Sequence, residues 1–272
     1  MGIMVAPLRI FLLAAAIAGL SWFQFVNTAS ARDTARDAVD LLDSRPGRDI
    51  LFVGNSRLYT NDLPSMVRAV ADSADSPVKY RVRMWALPGR RFVDHARSRS
   101  VRRLLDQRWD RVILQAQSAE QMRDEWRARF ATYGAELVGR ARAAGSPASL
   151  VVNWTYSEEE FRRLEAPEGA RAFVHGVIQN DHRALARETG AGLINVGAAF
   201  RRVETDEPAI PLIPDGNHPS QQGTYVYALM VYAHLSGADV RAVRHVPDGV
   251  GEAEARLLRE LVADYIAAAV DS

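Results

Sequence analysis

The stretch Ile50-Leu51-Phe52-Val53-Gly54-Asn55-Ser56-Arg57 decides the fold class. Its four consecutive apolar residues lack the alternation of a half-exposed strand and read as a strand covered on both faces. Gly54 then opens a turn, and a serine follows directly past the strand's carboxyl end. Val112-Ile113-Leu114, Leu150-Val151-Val152 and Leu193-Ile194 repeat the uninterrupted apolar pattern. Tyr80-Arg81-Val82-Arg83-Met84-Trp85 alternates instead, as a half-exposed edge strand should. The expected strands therefore span 49–54, 80–87, 111–115, 149–154 and 192–196.

Helical patterns fill the intervals, at 63–74, 92–107, 126–144, 170–189, 219–235 and 252–269. Pro64 marks one start, and Gly145, Gly190 and Gly237 mark stops. Residues 201–214 read as a long loop. Regular alternation of strand and helix predicts an α/β protein, a three-layer α/β/α sandwich around a five-stranded parallel sheet. No internal repeat or linker breaks residues 32–272, which read as one domain.

Among the 272 residues, 34 Lys+Arg face 33 Asp+Glu, so the chain carries no electrostatic footprint for nucleic acid. It contains no cysteine, which excludes disulfides, thiolate metal ligation and a lipid-modified cysteine. The first 31 residues differ from the rest. Arg9 precedes the apolar run Ile10–Leu20, and Ala29-Ser30-Ala31 follows. A positive flank, a short apolar core and an A-x-A site make a secretory signal peptide, with cleavage expected after Ala31. The rival is an uncleaved anchor, because Trp22, Phe23, Phe25 and Val26 prolong the apolar stretch. Export to the periplasm or the medium is the expectation, with no stable membrane association once the segment is removed.

The chemistry-bearing residues lie in two distant segments. Asp215-Gly216-Asn217-His218-Pro219-Ser220 places a carboxylate three positions before an imidazole, ahead of a helical pattern. Serine needs a base to become nucleophilic at neutral pH, and a histidine base needs a carboxylate to hold its tautomer. Ser56, Asp215 and His218 supply all three, and Ser56 lies where open α/β sheets bind ligands. The residue two past Ser56 is Leu58, so the Gly-x-Ser-x-Gly elbow is absent. His95, His175, His182, His234 and His245 lack ligand spacing, and no metal site is expected. The Asn153-Trp154-Thr155 sequon falls in an expected buried strand and reads as accidental. Trp154 and Tyr156 follow that strand, as packing residues or as aromatic walls of a ligand site. Glu158-Glu159-Glu160 reads as a solvated helix start.

Gly54-Asn55-Ser56, Gly89 after the second strand, a polar amide ending the third, and Asp215-x-x-His218 together resemble the SGNH (GDSL-type) hydrolase superfamily. Leu114-Gln115-Ala116-Gln117-Ser118 and His218-Pro219-Ser220-x-x-Gly223-Thr224-Tyr225 are similar to a bacterial extracytoplasmic subgroup with a Gly-Asn-Ser first block. The resemblance implies a flavodoxin-like sheet, Ser56 as nucleophile, and an oxyanion hole of three donors. Those donors are the backbone N–H groups of Ser56 and Gly89 and an amide side chain, Gln117 or Gln115, with Gln117 at the better-aligned position. Asn55 stands where the commoner motif has aspartate, a position that ties down the loop.

The activity this implies is carboxylic ester hydrolysis, with acyl groups such as acetyl removed from carbohydrate or small esters through an acyl-enzyme. No cofactor is required. Two other readings use the same scaffold: an envelope glycan O-acyltransferase and a non-catalytic glycan-binding module.

Overall fold

A computed structural model of the chain describes residues 43–270. The expected signal segment, 1–31, lies outside the described residues. From Gly47 onward the chain forms a compact unit.

In chain order this unit contains β1 (Gly47–Gly54), α1 (Ser56–Tyr59), α2 (Leu63–Ser73), β2 (Lys79–Ala86), α3 (Phe92–Arg97), α4 (Arg99–Leu105) and β3 (Arg111–Gln115). It continues through α5 (Asp124–Ala143), β4 (Ala148–Val151), α6 (Glu158–Arg163), α7 (Ala170–Thr189), β5 (Gly192–Ile194), α8 (Val196–Asp206), α9 (Gln221–Ser236) and α10 (Glu252–Val270). The five strands form one sheet in the order β2-β1-β3-β4-β5, and every pairing is parallel. The alternating strand, β2, is an edge, and the uninterrupted apolar β1 lies inside.

Successive residues of a strand point to opposite faces, and β1 shows what that requires here. Ile50 and Phe52 join one core with residues of α2, α8, α9 and α10, while Leu51 and Val53 join a second core with residues of α3, α4, α5 and α7. Both cores need apolar side chains, so the strand cannot alternate. Helix α9 sits deepest: every residue from Gly223 to Tyr232 is buried. A helix apolar on all sides belongs in an interior.

Three local expectations need correction. The helix expected at 92–107 is two helices, because Ser98 adopts extended backbone and its Oγ accepts from Val101 N to cap α4. Serine offers this alternative to the helical ladder and so favours caps. Of the loop expected at 201–214, residues 201–206 are instead the second half of α8, which is capped by Asn195 Oδ1 accepting from Ala198 N. Pro219 does not begin α9. Ser220 caps that helix, with its Oγ accepting from Gly223 N at 3.0 Å.

Four imidazoles are held neutral by the fold. Burial pushes His95, His175, His182 and His234 down to about 4. The unfolded chain takes up those protons near pH ~6.5. Stability from this source is therefore complete above that value and is lost as pH falls through about 4, because the unfolded state binds more protons in the window between. We expect the melting temperature by scanning calorimetry to drop steeply from pH 6.5 to pH 4. A flat profile across that interval would contradict the burial argument.

Candidate active site

Strand β1 delivers the first group. Asn55 caps the short helix α1, its Oδ1 accepting from Arg57 N, and this places Ser56 in the first turn beyond the sheet. Gly54 is required by close approach: a Cβ there would lie 2.5 Å from Gln115 Oε1 and 2.6 Å from Leu58 Cδ1. Asn55 ties three loops together. Its N donates to Gln115 Oε1 at 3.0 Å, and its Nδ2 donates to Arg90 O at 3.2 Å and Ala116 O at 3.4 Å.

The other two groups come from the loop before α9. Asp215 Oδ1 accepts from the backbone N–H of Asn217 at 2.8 Å and of His218 at 2.6 Å, closing a tight turn around Gly216, whose φ is 82°. Its Oδ2 lies 2.7 Å from His218 Nδ1, and His218 Nε2 lies 2.9 Å from Ser56 Oγ. With a carboxylate on Nδ1, that nitrogen carries the proton and Nε2 accepts from the serine hydroxyl. Burial raises the Asp215 carboxyl, but the N–H donors of Asn217 and His218 and the imidazole outweigh it, and the net shift is downward. The carboxylate therefore stays charged opposite the histidine.

Arg57, directly after the serine, carries no local sequence signal of a role in the site. Its side chain is 2% exposed and stacks over the Trp154 ring, 4.3 Å from the centroid. Nη1 donates to Trp154 O at 2.7 Å, while Nε and Nη2 donate to Asn217 Oδ1 at 3.2 and 2.9 Å. Trp154 Nε1 in turn donates to Asn217 O at 3.0 Å. Asn217, directly before His218, is thus gripped by its side chain and its carbonyl. Burial lowers the Arg57 guanidinium to about 10, which still leaves it charged at neutral pH. A second tie is Asn61, whose Nδ2 donates to Pro219 O at 2.8 Å and Thr224 Oγ1 at 3.0 Å. Asn61 holds a φ of 59°, which asparagine tolerates better than most residues. Removing the first tie by Arg57→Met strands the buried Trp154 O, at about 1–3 kcal/mol, and frees the part-buried Asn217 Oδ1. We expect a lower melting temperature and a kcat reduced by at least about tenfold, since a catalytic group misplaced by ~1 Å can cost ~10²-fold. Wild-type values of both would show that Asn217 needs no clamp.

The glutamines expected at the end of β3 differ in hydrogen bonding. Gln115 is fully buried, and its Nε2 donates to Ala116 O and to Asn153 Oδ1. Both amide hydrogens are committed inside the protein. Gln117 is only partly buried; its Oε1 accepts from Ala119 N at 2.6 Å and its Nε2 faces Tyr156 Oη at 3.3 Å, leaving one hydrogen unassigned. The backbone N–H groups of Ser56 and Gly89 have no partner among the described residues. Gly89 has a φ of 63° and open space where a Cβ would stand. Asn153 of the sequon is 1% exposed, and Trp154 is a packing residue, stacked on Phe200 at 4.4 Å.

Comparison with solved structures finds relatives of the whole fold. A protein of Slackia heliotrinireducens assigned to the SGNH hydrolases is 25% identical over 71% of this chain and 100% of its own, with a TM-score of 0.59. The chain belongs to the SGNH hydrolase superfamily. A DUF4886 family protein from Bacteroides uniformis shares the SGNH fold of this chain with a TM-score of 0.66, at 16% identity over 81% of this chain and 95% of its own. An acetylxylan esterase from Geobacillus stearothermophilus gives 0.56, at 17% identity over 74% and 99%. No protein-family model and no curated protein matches this SGNH chain in sequence.

Proposed function

We propose that the chain is a serine ester hydrolase that releases acyl groups, acetyl first among them, from carbohydrate or small esters. The observation that carries this reading is the hydrogen-bonded series Ser56 Oγ, His218 Nε2, His218 Nδ1 and Asp215 Oδ2, at 2.9 and 2.7 Å. Ser56 Oγ attacks the ester carbonyl while His218 takes its proton. Asp215, held ionised, stabilises the imidazolium that results. The carbonyl oxygen, now negative, is received by the N–H groups of Ser56 and Gly89 and by the Gln117 amide. His218 then protonates the departing alcohol and activates the water that cleaves the acyl-enzyme. No step calls for a cofactor.

The choice of carbohydrate esters rests on the inferred export of the chain and its Gly-Asn-Ser first block, which fit the extracytoplasmic subgroup. Among the described residues no helix is long and apolar enough to cross a membrane. A mature protein beginning at Arg32, by intact mass, supports export; retention of Met1 contradicts cleavage. The functional test is acetate release from p-nitrophenyl acetate and from acetylated xylan. Turnover that saturates with substrate supports hydrolysis. Slow release that accelerates on adding an acceptor glycan, with the acyl group recovered on it, supports the acyltransferase reading instead. No turnover by the folded protein leaves the binding module.

A further inference from the structure

Glu120 lies in a single 3₁₀ turn between β3 and α5 and is 1% exposed. A carboxylate is rarely so deeply buried unless its oxygens are engaged. Here each oxygen accepts from a different loop. Oε2 accepts from Gln117 N at 2.9 Å, in the loop after β3, and Oε1 accepts from Phe92 N at 3.3 Å, at the start of α3. Phe92 ends the segment that leaves β2 through Leu87-Pro88-Gly89, where Arg90 N donates to Leu87 O at 3.3 Å. Glu120 therefore joins the segment bearing the free Gly89 N–H to the segment bearing the Gln117 amide. Asn55 makes the complementary tie between the same two loops, through the carbonyls of Arg90 and Ala116. One side chain donates to both loops and the other accepts from both.

We propose that Glu120 is a positioning residue of the oxyanion site, its buried carboxylate fixing the distance between the Gly89 and Gln117 donors. This rests on the hydrolase reading above. A donor pair stabilises a developing oxyanion only when both groups are already in place, so a clamp between their loops acts on the transition state more than on the bound ester. Ionised, Glu120 accepts at both oxygens; protonated, one oxygen becomes a donor and competes with a loop N–H. Burial pushes the carboxyl up to about 8, against the pull of the two N–H donors and of Arg91, with Asp94 adding to the rise. The clamp therefore tightens as pH rises through that value.

The test compares wild type with Glu120→Gln and Glu120→Asp. Glutamine sets an amide against one of the two N–H donors, and aspartate is one methylene too short to reach both. We expect kcat on p-nitrophenyl acetate to fall by about 10–100-fold in each, with KM within about threefold. The deficit should be larger at pH 8.5 than at pH 6, and affinity for an arylboronic acid should fall in parallel with kcat. Amide hydrogen exchange, which needs no activity, should accelerate in peptides covering 87–92 and 116–121 of both variants. Unchanged exchange in both peptides overturns the clamp, whatever the activity. Faster exchange with unchanged kcat, or with KM rising as much as kcat falls, overturns the positioning role. Failure of the glutamine variant to fold leaves the aspartate variant to decide by the same measures. Absence of ester turnover in wild type refutes the hydrolase reading, while the exchange data still judge the clamp.

Discussion

Ser56→Ala and His218→Ala are each expected to lower kcat on p-nitrophenyl acetate by about 10⁶-fold while leaving the fold intact. Members of a catalytic unit are grossly non-additive, and removing either of these two costs nearly as much as removing both. Without Oγ there is no acyl-enzyme. Without the imidazole the hydroxyl keeps its proton, and the alcohol leaves unprotonated. Neither side chain lies in a hydrophobic core, so the melting temperature should move little. Kinetics and thermal unfolding of both variants check this, and a loss below tenfold at either position would refute the assignment. Asp215→Ala should cost less in chemistry and more in local order, because Oδ1 also closes the turn through the N–H groups of Asn217 and His218.

The second large effect is expected at Gln117. Replacement by alanine should lower kcat by about 10²–10³-fold with KM within about threefold, the signature of an oxyanion donor removed. Gln117 keeps one amide hydrogen without an internal partner, and its loop is held by Glu120 and Asn55. Gln115→Ala should act through stability. It deprives Asn55 N of its acceptor and takes a donor from Asn153 Oδ1, both in a fully buried setting where an unsatisfied group costs about 1–3 kcal/mol. The decisive comparison is kcat at matched fractions of folded protein. A large kcat loss in Gln115→Ala with none in Gln117→Ala would move the donor by two residues and leave the nucleophile and base untouched.

The resemblance alone left Gln115 and Gln117 unresolved. Both are polar amides at the end of an apolar strand, and a period of two puts them on the same face. What separates them is a hydrogen-bond account that includes Asn153, 38 positions from Gln115. Arg57 is illegible in the sequence for a similar reason. An arginine after a serine reads as a solvated charge in a chain with so many arginines, and nothing local signals that it is buried. Its acceptors, Trp154 O and Asn217 Oδ1, lie 97 and 160 positions away. Glu120 gave no signal either, since its acceptor role exists only once two loops converge. The helix over Val196–Asp206 is only partly legible, because Arg201 and Arg202 look like loop residues and its cap, Asn195, falls inside the strand expected at 192–196, whereas β5 stops at Ile194.

Sequence alone sufficed for features whose physical cause is local or periodic. Uninterrupted apolar runs require strands covered on both faces, the alternation of Tyr80 to Trp85 requires an edge, and glycines at the ends of helical patterns stop them. The spacing of Asp215 and His218 lies within one turn of chain, so their pairing was also readable. Tertiary structure alone decided the rest: that Ser56 meets His218 across 162 positions, that Gln115 is saturated where Gln117 is not, and that Arg57 and Glu120 are buried. Those facts depend on desolvation and on partners brought together by packing, and neither is encoded in any window of neighbouring residues.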